Sequence, residues 1–499
     1  MNRKNRAFSS CPGIVVILLL CLLLSACQKE PDLAGEPSAD PTETTGTDAT
    51  VEANSHFLSG ADAYRIVYDK DCGTRVKEAC KLLQEKLGGI EMVSDEDAEE
   101  TEYEILIGDT DRSGSAAGAE DLEEADYRVS VAGKKLVFSG GGDTALINAI
   151  ADFVRDDAVK ESDECGWTVP AAYSLYFDGA ESREEYIADP DRFLVNWAYK
   201  FDVPDWLLDY EEKKAAFRDP GGRIMATHHR AGFYYYPENS IEAIISSVKM
   251  GADCIEIDLR ITQDGVVVLL HNDTLSATTD WSSKQGKDGL PSSDAVSDWT
   301  YEQLCQLRLL TYDGKVTDYQ IPTFEEALLV CKGRSFLRLD KIGRAYWDSH
   351  IYPLIQKTEA WSTCIIPDWY PLEQKKAIAD TIKEESGEDI MFYVSLYPDQ
   401  CDQWEAEVDA LLEGGYLPIM RWETFRTAGK EDRVSAVSPY LEQIKDKVRI
   451  NADVQAANQC TEKAEVWDYL HEVGVGLMLI DNVLMIQQYI AENYSPTSY

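Results

Sequence analysis

From Arg223 onward, short apolar runs alternate with stretches long enough to be helices, and this rhythm constrains the fold more than any other feature of the chain. Strand candidates fall at 223–227, 253–261, 266–270, 335–340, 363–367, 390–396, 416–422, 448–454 and 476–481. Most of the intervening segments are helix-like and long enough for right-handed crossovers between parallel strands, so an α/β architecture is expected. The link between 258 and 271 is the exception, because Asp264-Gly265 marks a tight turn there.

At 499 residues the chain is too long for one ordinary domain. Its 11 Trp, 26 Tyr and 13 Phe within a 44% hydrophobic composition supply ample core, which excludes wholesale disorder. A first domain is expected over 56–178. Tyr64–Tyr68 reads as a strand, and Val76, Ala79, Leu82, Leu83 and Leu87 share one helical face. Tyr103–Gly108 follows as a strand, then a hairpin of 127–131 and 135–139, then a helix over 145–154. This order suggests a small α+β domain. Its segment Glu104–Arg112 resembles the small α/β domain that precedes catalytic barrels in some secreted glycosidases, and it holds no candidate catalytic cluster. A spacer or accessory binding module is the expected role. Residues 179–222 read as a connector ending in Asp219-Pro220-Gly221-Gly222, and 223–499 as the second domain.

The N-terminal segment carries its own signals. Arg3, Lys4 and Arg6 precede an apolar stretch from Ile14 to Leu24, as in a secretory signal spanning 1–26. Leu24-Ser25-Ala26-Cys27 resembles the bacterial lipobox, which implies cleavage before Cys27, a lipid on its thiol and a place on the cell surface. Residues 27–55 hold Pro31, Pro37 and Pro41 and seven acidic side chains against the single Lys29, the composition of an extended, disordered tether. The nine cysteines beyond Cys27 are scattered and show no CxxC or Cys/His spacing, so neither a disulfide framework nor a structural zinc is expected. The formal net charge is −43, from 90 Asp+Glu against 47 Lys+Arg. Such a field repels nucleic-acid backbones and anionic lipid, leaving a lipid anchor as the expected membrane contact. A protein this acidic that handles an anionic substrate needs a local positive centre, such as a bound metal.

The chemistry gathers in 223–341. A short strand runs into His228-His229-Arg230, and Pro237-Glu238-Asn239-Ser240 follows. Asn239 with Glu242 three residues on has the capping-box pattern, and Ile241, Ile244, Ile245 and Val248 form the buried stripe of the helix. On the next strand Glu256 and Asp258 lie two residues apart and share a face, with Ile255, Ile257 and Leu259 on the other. The run 266–270 then delivers His271. Two carboxylates on a buried face repel unless a cation lies between them, and Ca²⁺ or Mg²⁺ takes such all-oxygen ligands. Histidines at the flanking strand ends suit proton transfer near neutral pH. His228 is expected to be structural.

These residues resemble the glycerophosphodiester phosphodiesterases. The matching stretches are His229-Arg230-Ala231-Gly232, Pro237-Glu238-Asn239-Ser240, Gly251-Ala252-Asp253, Glu256-Ile257-Asp258, Thr262-Gln263-Asp264-Gly265 and His271-Asn272-Asp273-Thr274-Leu275. Ile321–Ala327 and Gly474–Asp481 continue the likeness to about residue 492. The resemblance implies a TIM-type (β/α)8 barrel and one divalent cation, and it implies that His229 and His271 act as acid and base on a small phosphodiester such as glycerophosphocholine. Glu256, Asp258 and Asp340 become metal ligands, and Arg230 and Lys341 become substrate contacts. The nine strand candidates exceed the eight places of such a barrel, and 416–422 is the one the barrel does not need. Residues 280–320 read as an inserted loop over the mouth.

The chain departs from the family pattern at several points. Ala231 replaces a glycine, Asn272 an aspartate and Ala277 an arginine. Asp340 takes the place of glutamate in the third ligand, and Lys341 adjoins it rather than following one residue later, so on a strand it would face away. A phospholipase D-like enzyme on lysolipids or sphingolipids, or a weakened barrel that only binds phosphodiesters or glycans, are the other readings.

Overall fold

The computed structural model describes residues 55–57 and 64–494, apart from 117–118, 120, 163–165, 205–209, 397, 423–438 and 455–461. Cys27, the signal segment and the tether lie outside the described residues, save Ser55 at the tether's end. Among the described residues no helix is long and apolar enough to cross a membrane.

Eight strands form the barrel: β1 (Met225–His228), β2 (Cys254–Ile261), β3 (Phe336–Asp340), β4 (Cys364–Ile366), β5 (Met391–Leu396), β6 (Leu417–Trp422), β7 (Ile450–Asp453) and β8 (Val475–Ile480). Each pairs in parallel with its neighbour, and β1 pairs with both β8 and β2, which closes the cylinder. All nine expected strands are present, but the supernumerary one is not 416–422. That segment is β6, paired along its whole length with β5. The strand outside the barrel is Val267–Leu269, which folds back antiparallel on Leu259–Ile261. The tight turn after β2 leaves no room for the crossover that a parallel partner needs.

Alternation along the strands sorts side chains into two cores. Ile255, Ile257, Leu337 and Leu339 face outward under the helices. Inside, register stacks three layers: Cys254 beside Phe336, Glu256 beside Arg338, and Asp258 beside Asp340. The lowest layer is apolar and joins Met225, Ile365, Met391, Ile419 and Leu477. The helix Tyr210–Arg218, within the expected connector, seals this end by placing Phe217 4.8 Å from the Phe336 ring. The middle layer is ionic. Arg338 pairs with Asp453 at 2.8 Å, and Arg421 bridges Asp453 at 2.7 Å and Asp368 at 2.9 Å. Asn451 Nδ2 donates to Asp453, whose carboxyl the two arginines hold far below the usual carboxylate range against the opposing effect of burial.

Residues 271–321 are more than a loop. Leu275, Leu290, Val296, Trp299, Leu304, Leu307 and Leu309 bury a small core of their own against Val268 and Leu270 of the hairpin. Two short helices, Trp281–Lys284 and Tyr301–Leu304, lie within it.

Ahead of the barrel stands a six-stranded sheet in the order Met92–Ser94, Arg65–Tyr68, Glu104–Ile107, Lys135–Gly140, Tyr127–Ala132, Ser174–Phe177. Its first four strands pair in parallel, and Tyr127–Ala132 runs antiparallel between Lys135–Gly140 and Ser174–Phe177. The helices Thr74–Lys86 and Asp143–Arg155 cover one face, burying Val76, Leu83, Leu146 and Ile150 against Ile66, Ile105 and Phe138. The connector packs between this sheet and the barrel. Asn148 donates to the Val195 carbonyl at 2.9 Å, and buried Trp197 donates to Ser246 Oγ at 2.8 Å.

Removing Asp453 would leave two buried guanidinium groups without their shared counter-charge. Asp453→Ala is expected to destabilise the barrel by about 3–5 kcal/mol, read as a lowered urea midpoint in unfolding of the full chain.

Candidate active site

The rim above the ionic layer is where the sequence-expected residues meet. β1 ends at His228, and the chain leaves it through Arg230, Ala231 and Gly232 with φ of 46°, 61° and 76°. A side chain at Gly232 would begin 3.0 Å from Val483 Cγ2, so this tight left-handed turn needs glycine there. His228 points into the protein, between Ser247 Oγ at 2.9 Å and Gln487 Nε2 at 3.0 Å. Complete burial pushes its pKa down to about 3, so it is neutral and structural.

His229 turns the other way. Its Nδ1–H donates to Asp481 Oδ1 at 2.5 Å, and Nε2 lies 3.9 Å from Glu256 Oε2. Asp481 follows β8, whose Ile480 is in register with His228, so strand closure brings these distant residues together. Burial lowers the affinity of His229 for a proton, but Asp481 and Glu256 outweigh it and hold the pKa above the usual histidine value. Asp481 is itself fixed, its backbone N–H donating to Glu462 at 2.7 Å.

Glu256, Asp258 and Asp340 each offer an oxygen within 4.8 Å of the others. Burial, and then the charge of Asp258, raises the pKa of Glu256; burial likewise raises that of Asp258. Burial also opposes ionisation of Asp340, but Lys341 carries its pKa below the usual carboxylate range. Asp258 is gripped by one residue. Asn239 Nδ2 donates to Asp258 Oδ2 at 2.8 Å, and its Oδ1 accepts the Asp258 backbone N–H at 2.9 Å. Asn239 therefore does not cap the following helix; with φ of 58° it precedes the true cap, Ser240, whose Oγ accepts the Ala243 N–H at 3.0 Å. Glu242 bonds Tyr186 rather than closing a capping box.

The other oxygen of Asp258, Oδ1, is buried without a hydrogen-bond partner. An orphaned carboxylate oxygen beside two further carboxylates is a poor arrangement on its own and a suitable one for a hard divalent cation. The donor set therefore fits Ca²⁺ or Mg²⁺.

His271 reaches the rim by an unexpected route. It does not end a barrel strand; the antiparallel hairpin returns it, with Leu270 N–H donating to the Asp258 carbonyl at 2.9 Å. Its Nδ1 contacts Asn272 Oδ1 at 2.7 Å, which requires the hydrogen on Nδ1 and leaves Nε2 as the free nitrogen. His271 lies close enough to Asp258 to favour that residue's ionised form. Arg260 holds the His271 carbonyl from below.

Arg230 is committed in part to Glu238, 2.8 Å from its Nη1, while its backbone N–H donates to Glu256 at 2.9 Å. Lys341 does not face away as a strand residue would. Its φ of 61° breaks the strand and lets Nζ reach Asp340 at 3.2 Å. Sequence reasoning did not find the partners Asp481, Glu238 and Asn239. The Pro-Glu-Asn stretch and the aspartate closing β8 were visible, but nothing local tied them to a histidine or a carboxylate.

Asp481→Asn keeps the shape and removes the charge behind His229. The His229 pKa is expected to fall relative to wild type, as followed by NMR titration of the metal-free protein.

Residues 229–356 match the glycerophosphoryl diester phosphodiesterase family. Glycerophosphodiester phosphodiesterase 1 of Mus musculus is 35% identical over 115 residues, which cover 22% of this chain and 31% of the relative. Glycerophosphodiester phosphodiesterase of Bacillus subtilis (strain 168) is 33% identical over 109 residues, 21% of this chain and 36% of the relative. The chain thus spans about a third of the length of the curated relatives it matches. A solved glycerophosphoryl diester phosphodiesterase from Parabacteroides distasonis aligns over 57% of this chain and 92% of its own, with a TM-score of 0.42 and 22% identity. Residues 229–356, the stretch that matches the glycerophosphoryl diester phosphodiesterase family, hold both rim histidines and all three carboxylates.

Proposed function

We propose that this protein hydrolyses glycerophosphodiesters, releasing glycerol 3-phosphate and an alcohol. The observation that carries the reading is the flanking of one three-carboxylate cluster by two histidines whose Nδ1 atoms are both engaged, which leaves both Nε2 atoms for chemistry. What a divalent cation supplies when bound by Glu256, Asp258 and Asp340 is neutralisation of the phosphodiester and of the charge that grows as the bond breaks.

The chain's own residues divide the remaining work. His271, with its hydrogen on Nδ1, presents the Nε2 lone pair as general base to the nucleophile. That nucleophile is either water, which gives glycerol 3-phosphate directly, or a neighbouring glycerol hydroxyl, which expels the alcohol to leave a cyclic phosphate that water then opens to glycerol 3-phosphate. His229, backed by the Asp481 carboxylate, is suited to carry a proton on Nε2 and deliver it to the leaving alcohol. Arg230 meets a phosphate oxygen with the guanidinium edge that Glu238 leaves open, and Lys341 adds a second positive charge at the rim. We propose further, from the lipobox-like Leu24-Ser25-Ala26-Cys27 alone, that the enzyme is lipid-anchored at Cys27 on the outer cell surface.

The full chain is expected to hydrolyse glycerophosphocholine with Ca²⁺ or Mg²⁺ present and to lose both turnover and substrate affinity in chelator. His229→Ala and His271→Ala should each lower kcat by about 100-fold or more. Absence of turnover with either cation, or turnover that survives both substitutions, would sink the mechanism.

A further inference from the structure

On the His229 side of the rim, between the turn after β1 and the 271–321 insertion, lies a cavity of about 140 Å³. Phe233 and Tyr312 stand on its wall with ring centroids 5.3 Å apart, and Tyr234 backs them at 4.6 Å and 5.4 Å. Ala277, Leu310 and Gly314 with the hydroxyl-bearing Thr278 and Thr311 complete the lining, Glu238 is its acidic residue, and among the described residues no lysine or arginine takes part. Two contacts tie the cavity to the reacting groups. Phe233 meets the His229 ring edge-on at 6.1 Å, and Glu238 holds Arg230.

A void of this size takes a group of roughly six or seven non-hydrogen atoms, as a benzene-sized cavity does. An anion would meet the Glu238 carboxylate, and a neutral polyol would gain little from the ring faces. An alkylammonium gains from both, through cation–π contact with Phe233 and Tyr312 and attraction to Glu238. Tyr312 is 71% exposed, so a ligand would also cover an aromatic ring that the fold leaves open.

We propose that this cavity is a subsite for an alkylammonium head group, the cationic end of a phosphodiester held at Arg230 and the two histidines. The proposal rests on the phosphodiesterase reading and names the head-group class for it.

The test compares kcat/KM of the full chain, with its divalent cation, for glycerophosphocholine and glycerophosphoglycerol, in wild type, Tyr312→Leu and Tyr312→Phe. Choline chloride is titrated into the same proteins by calorimetry. Wild type should favour the choline ester by at least about fivefold, Tyr312→Leu should erase most of that ratio, and Tyr312→Phe should keep it. Lysophosphatidylcholine as a third substrate tells a lipid-borne head group from a soluble one, and Tyr312 dependence with either supports the subsite. Equal kcat/KM in wild type, or a ratio that Tyr312→Leu leaves intact, overturns it. If neither ester is hydrolysed, the phosphodiesterase reading fails separately, and choline decides the subsite. Saturable binding lost in Tyr312→Leu supports it, and no binding overturns it.

Discussion

Parallel pairing of β2 and β3 sets Asp258 directly across from Asp340, with Glu256 one inward position below Asp258. Three carboxylates gathered at a mostly buried rim repel one another, and the surroundings are organised around relieving that repulsion. Asn239 satisfies one oxygen of Asp258, the Arg230 backbone satisfies one of Glu256, and Lys341 leaves the strand to reach Asp340. Beneath them, Arg338 and Arg421 bring positive charge into the barrel, but Asp453 and Asp368 absorb it. The protein's own cations therefore leave the cluster short of charge, and its donor set is one that fits a divalent cation.

Much of this was legible in the sequence because it depends on short-range rules. Period-two alternation put Glu256 and Asp258 on one face, and the alternation of strand and helix signals located every barrel strand. Asp264-Gly265 announced the hairpin that delivers His271. What local reasoning could not supply were contacts made by closure of the barrel. Asp481 meets His229 only because β8 lies beside β1. The choice between 267–269 and 417–422 as the extra strand turned on the same point, since membership of the barrel is decided by neighbours and not by composition. Asn239 was read as a helix cap because that is its usual local use. In the structure Ser240 takes the cap and frees Asn239 to hold Asp258.

The acidity of the chain takes on a more specific meaning in this setting. A net charge of −43 opposes an anionic substrate everywhere except where a cation is held. The cavity between the turn after β1 and the insertion contributes to selection differently, with Phe233 and Glu238 from the turn and Tyr312 from the insertion standing beside the reacting groups instead of further positive charge. Discrimination between head groups is thereby separated from the chemistry, which stays at the histidines.

The most direct measurement of the central claim is calorimetric titration of Ca²⁺ and Mg²⁺ into the full chain, wild type against Asp258→Asn. A single saturable site per chain in wild type, accompanied by a rise in thermal midpoint and abolished by Asp258→Asn, is the result this account predicts. No saturable binding of either ion, or binding that Asp258→Asn leaves unchanged, would contradict it.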